Sequence, residues 1–141
     1  MSDDRAQISM EYLLIFAVSL IILMVFTLPL AEESIKNTID VSDSLNAKYA
    51  VSKIAQAIRE VYGEGQGSKR TIDLDLERKI TISVSDIHIS CSIKLKGGSN
   101  KQIRESFKST LKKNSITLNK GRNVVAVEWP IGSGNMIIYT Q

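Results

Sequence analysis

Between Tyr12 and Ala31 lie twenty consecutive residues that carry no charge and are mostly apolar. Coiled as a helix rising 1.5 Å per residue, such a run spans roughly 30 Å, about the hydrocarbon thickness of a bilayer. It can therefore cross a membrane. An ordinary secretory signal places positive charge first, a shorter apolar stretch next and a small-residue cleavage site after it. Here the leader Met1-Ser2-Asp3-Asp4-Arg5-Ala6 holds two acids and one base, and the downstream flank Leu30-Ala31-Glu32-Glu33 offers no such site. The apolar segment is expected to stay in the mature chain.

The residues entering it are Gln7-Ile8-Ser9-Met10-Glu11-Tyr12-Leu13-Leu14. This stretch resembles the signature of archaeal type IV pilin-like proteins with a class III signal peptide, Gln-x-Ser-x-Glu followed by Tyr-Leu and an apolar helix. The resemblance implies a pre-pilin peptidase that cuts on the cytoplasmic side, here between Ala6 and Gln7, and leaves the helix in place. Ala6 stands where glycine is commoner, and the leader is less basic than most of its kind. The resemblance also gives Glu11 a role. A carboxylate at the edge of an apolar helix is costly to desolvate without a partner, and cleavage would free a positive α-amino group on Gln7. Pairing of Glu11 with that amine on a neighbouring subunit would set the axial register. The bland alternative leaves Glu11 in the headgroup layer beside a plain anchor.

Beyond the apolar run, Ile35, Ile39, Leu45, Tyr49, Ile54, Ile58 and Val61 recur among polar residues at spacings read as one helical face. The helix is therefore expected to continue, amphipathic, to the glycines of Gly63-Glu64-Gly65-Gln66-Gly67, where it must end. Pro29 removes one backbone donor and crowds the preceding turn, predicting a kink or local melting nearby.

After Ser68 the apolar period changes to two. Ile72, Leu74 and Leu76, then Ile80, Ile82 and Val84, then Ile87, Ile89, Cys91, Ile93 and Leu95 read as three antiparallel strands. The parity slips between Val84 and Ile87, placing a bulge or turn at Ser85-Asp86. Ile116 and Leu118 with Val124 to Trp129 flank Asn119-Lys120-Gly121-Arg122, which reads as a hairpin turn. Met136 to Tyr139 forms a last strand, and Gln102 to Lys113 fits either a helix or a strand. The fold class is α+β: a long N-terminal hydrophobic and amphipathic helix packed on a small antiparallel β-sheet head. The expected organisation is leader 1–6, transmembrane or filament-core helix 7–31, amphipathic extension 32–62 and β-rich head 68–141.

No constellation for catalysis emerges. His88 and Cys91, three apart on a strand, point to opposite faces; Cys91 shares the parity of Ile89 and Ile93 and belongs in the core, with His88 toward solvent. Asp73 and Asp75 alternate with apolar residues and form a solvated strand face. The sequence Gly63 to Lys69 resembles a phosphate-binding loop only superficially, because it follows a helix and precedes a strand, the reverse of what that loop requires. A single cysteine excludes an intrachain disulfide and a thiolate metal cage. Lys94 to Arg122 holds nine basic residues against the one acid Glu105. With only Phe107 interleaved it is first a solvated face, not a stacking platform for nucleic acid, and surface adhesion is a second use. No Asn-x-Ser/Thr sequon occurs.

The chain is thus read as a structural subunit with no enzyme activity, cofactor or nucleic-acid partner. The resemblance implies a precursor in the cytoplasmic membrane, then an extracellular filament. Its implied partners are the pre-pilin peptidase, other pilin subunits, an assembly ATPase and a membrane platform protein. Three other readings stand beside it: a minor pilin or tip adhesin, a swimming-filament subunit, disfavoured by the motif, and a single-pass anchored extracellular binding domain.

Overall fold

The computed structural model describes the backbone of residues 2–141 and the side chains of residues 9–141. Helix α1 (Ser2–Glu64) is followed by strands β1 (Lys69–Leu76), β2 (Ile80–Val84), β3 (His88–Lys94), β4 (Asn100–Ser106), β5 (Asn114–Leu118), β6 (Gly121–Glu128) and β7 (Ile137–Thr140). The chain divides into two compact units, one ending at Thr38 and the other comprising Ile39–Gln141.

The first unit is helix alone. No glycine occurs before Gly63 and its one proline is Pro29. The expected melting at Pro29 does not occur, since helix runs without interruption on both sides. Proline forfeits only its own bond to the carbonyl four residues back, and the intact turns on either side carry the helix past it.

In the second unit α1 and two antiparallel sheets enclose one core. The sheets are β1-β6-β7 and β4-β3-β2-β5. From β2 to β5 the chain forms a Greek key: β2, β3 and β4 follow one another as neighbours, and β5 returns by a long connection to pair with β2. The whole unit is inserted between β1 and β6, which pair along their full length from Lys69↔Glu128 to Leu76↔Gly121.

This topology corrects two expectations. Asn119-Lys120 is no hairpin turn, because β5 and β6 lie in different sheets. It is a corner locked by Asn123, whose Oδ1 accepts from the Asn119 amide at 2.9 Å and whose Nδ2 donates to the Asn119 carbonyl at 2.7 Å. Gly121 turns it at φ 95°, a conformation that side chains disfavour. The strand β1 likewise does not pair with β2, so the head has two sheets rather than one. The ambiguous segment resolves into β4 and an irregular connection, 107–113. Phe107 and Leu111 still face the core from this connection, and the amides of Phe107 and Ser109 donate to the carbonyls of Ile87 and Asp86. The expected break falls at Ser85 to Ile87, but it leaves Ile87 exposed rather than on the core face.

The single helical face also needs correction. Ile54, Ile58 and Val61 are buried together with Ala47, Ala50, Val51, Ala55 and Ala57, whereas Ile35, Leu45 and Tyr49 are exposed. Nine residues separate Leu45 from Ile54, which places them about 180° apart around a helix turning 100° per residue. The alanines allow the sheets to approach the helix closely, and Ile and Val then fill the space between. At its far end α1 stops at Gly65, whose φ is 89°, and the Ser68 hydroxyl donates to the Val61 carbonyl at 3.0 Å.

These two faces answer differently to truncation. Ile58→Ala should lower the unfolding free energy of the head by about 2–5 kcal/mol, the range for emptying a packed aliphatic site. Leu45→Ala should change it by no more than about 0.5 kcal/mol. Denaturant titration of the full chain in detergent, followed by fluorescence of Trp129, checks both.

Candidate processing and assembly site

The predicted site lies in the first unit. Ala6 and Gln7 fall within α1, but their side chains lie outside the described residues. Glu11 is exposed on the helix and, among the described residues, has neither an ion-pair nor a hydrogen-bond partner. From Met10 to Leu30 every large apolar side chain is open, the least exposed being Leu20 at 42%. The helix is long and apolar enough to cross a membrane. Within it Ser19 donates its hydroxyl to the Ile15 carbonyl at 2.7 Å, satisfying that donor within the helix. A wholly uncovered apolar surface of this size is unstable in water and demands lipid or other helices around it.

Residues 5–30 match the family model described as class III signal peptide. The chain carries a class III signal peptide. This is the hallmark of archaeal type IV pilin-like proteins. The match coincides with the exposed apolar helix and contains Gln7 and Glu11. No curated protein and no solved structure matches the chain.

The other residues singled out from sequence sit apart from this segment. Cys91 is buried among aliphatic side chains, and burial pushes its thiol above the ordinary value of 9.0. His88 is half-buried rather than freely solvated. The Arg104 guanidinium donates to its Nε2 at 2.9 Å, and because arginine stays protonated the imidazole must carry its proton on Nδ1. That nitrogen lies 3.0 Å from the Ser85 Oγ, making the histidine a brace for the β2–β3 turn. Asp73 is exposed and paired with Arg122 at 3.1 Å. The lysines of the 94–122 stretch are exposed but spread over β3, β4, the 107–113 connection and the β5–β6 corner. Among the described residues no three His, Cys, Asp or Glu side chains gather as metal ligands.

Two helix carboxylates were not recognised from sequence. Asp40 accepts from the amides of Lys96 at 2.7 Å and Gly97 at 3.3 Å, holding the β3–β4 turn against α1. Three residues on, buried Asp43 pairs with Arg78 at 2.5 Å, and Arg78 also donates to the Lys94 carbonyl at 3.3 Å. Spacing of three places both acids on one helix face, a signal that was available, but their partners lie 35 or more residues away in the chain.

Burial of Cys91 makes two checkable statements. Its folded-state pKa is raised, so the folded protein holds the thiol proton more tightly than the unfolded chain. Stability from this group is complete below the unfolded thiol's pKa and is lost as pH climbs through the raised one. A maleimide should label Cys91 slowly in the native head at neutral pH and rapidly in denaturant. Mass spectrometry reads both rates.

Proposed function

We propose that this chain is a structural subunit of an archaeal type IV-like pilus. The observation that carries the reading is the coincidence of the class III signal with a helix whose apolar surface nothing in its own unit covers. The pre-pilin peptidase cuts between Ala6 and Gln7, and the helix stays with the mature chain as its membrane anchor. An assembly ATPase and a platform protein then draw the subunit out of the bilayer. Its helix exchanges lipid for the helices of other subunits.

That exchange is chemically plausible because the helix meets its own backbone hydrogen bonds in either setting. What must be replaced is apolar contact, which lipid tails and apolar helices supply alike. Glu11 is the exception. Within the filament its carboxylate meets the new α-amino group of Gln7 on a neighbouring subunit, and this pairing makes cleavage a precondition for assembly. The protein serves as the peptidase's substrate and performs no chemistry of its own.

Mass spectrometry of sheared surface material should find a mature chain beginning at Gln7. Met1 to Ala6 retained, with all protein confined to membranes, would reduce the chain to an anchored extracellular domain. In Glu11→Ala, processing should proceed while filament yield falls at least tenfold, the minimum expected when a desolvated charge pair loses one member. Undiminished yield would remove Glu11 from assembly.

A further inference from the structure

Helix α1 has a second apolar face within the second unit, and nothing in that unit covers it. Val41 is 58% exposed, Leu45 61% and Tyr49 53%. Their spacing of four residues aligns them in one stripe along the helix. The stripe is opposite the buried face formed by Ile54 and its neighbours, so the head cannot close over it. Farther along, the outward positions turn polar at Lys53, Gln56 and Glu60. The stripe is thus bounded.

Its borders carry charge. Lys48 and Lys53 are both exposed and, among the described residues, neither has an acidic partner. The Lys53 ammonium lies 5.6 Å from the centre of the Tyr49 ring, directly beside the stripe. On a helix turning 100° per residue, Lys48 and Lys53 fall to either side of Leu45. The same chain carries the complementary pattern: an uncovered apolar helix that ends at Ala31, followed at once by exposed Glu32 and Glu33. These two acids are also unpaired among the described residues. Being adjacent, they diverge by about 100° and reach opposite flanks.

We propose that the Val41, Leu45 and Tyr49 stripe is the seat of the apolar helix of a second copy of this chain, closed by Lys48 and Lys53 against that copy's Glu32 and Glu33. Both copies enter the membrane by the same signal, so the two helices run parallel. Bringing the acids of one copy to the lysines of the other offsets the subunits by roughly 15–21 residues, or about 22–32 Å at 1.5 Å per residue. This places the second copy's apolar run along the stripe and its first charges where the stripe ends. The inference rests on the filament reading and adds to it the surface and axial offset of one subunit contact.

The test is a charge exchange in the native host, with sheared filaments and processed membrane protein measured separately. The double variants Lys48→Glu/Lys53→Glu and Glu32→Lys/Glu33→Lys should each reduce filament yield about tenfold or more while processed protein stays at the wild-type level; combining all four should restore most of it. Wild-type yield from either reversal alone would overturn this contact and leave the filament reading intact. A loss that the combination does not restore would also overturn it. Reduced membrane retention of the precursor with unchanged filament yield would assign the stripe to lipid instead. Absence of any filament from the wild-type chain would overturn the filament reading, and this contact with it.

Discussion

A helix satisfies its backbone donors and acceptors from within, so its side chains alone decide what surroundings it tolerates. Everything else in this protein follows from that property applied to one helix of 63 residues. From Tyr12 to Leu30 the helix presents apolar side chains in every direction. Its later turns bury one face, built from alanines, valines and isoleucines, beneath two sheets. Strands cannot divide their surroundings in this way, because an open sheet edge leaves backbone groups unmet in any apolar medium.

Small side chains and specific carboxylates share the work of holding the head to the helix. Ala47, Ala50, Ala55 and Ala57 bring the sheets close, which lets Val51, Ile54 and Ile58 reach full burial among Leu74, Ile82, Ile89 and Leu118. Apolar contact of this sort is strong but has no fixed direction. Asp40 and Asp43 supply direction, since each engages a particular turn: one the β3–β4 turn, the other the link between β1 and β2 through Arg78. At the opposite end Tyr62 stacks on Trp129 with ring centres 5.7 Å apart, fastening the last helical turn to the end of β6.

The polar groups weighed as chemical machinery each make a structural contact. His88 braces a turn, Cys91 fills space in the core and Asp73 pairs with a neighbouring arginine across β1 and β6. Isolated isoleucines stand open in the head at Ile87, Ile131 and Ile137, but the extended uncovered apolar surfaces among the described residues lie along the helix, from Met10 through Leu30 and again at Val41, Leu45 and Tyr49. Under the proposed function these surfaces are where subunits meet, and the head is cargo that each helix carries to the filament surface.

Local patterns in the sequence determined the signal, the apolar helix, the glycine stop and the period-two strands. Each depends only on residues near one another in the chain: a motif of a few positions, a charge-free run, a glycine at the αL turn, an alternation. The separation of the helix into two apolar faces was not read from the pattern: Ile35 to Val61 read as one face, although Leu45 and Ile54, nine residues apart, lie on opposite sides, and spacing alone did not say which face the head would cover. Only tertiary structure decided the strand partners. Asn119 to Gly121 has the composition of a hairpin turn, yet β5 pairs with β2 and β6 with β1, because apolar burial on both sheets outweighs what a short turn prefers. Asp40 and Asp43 acquired their roles in the same way, from amides and an arginine brought to them by strands that fold back from a distance.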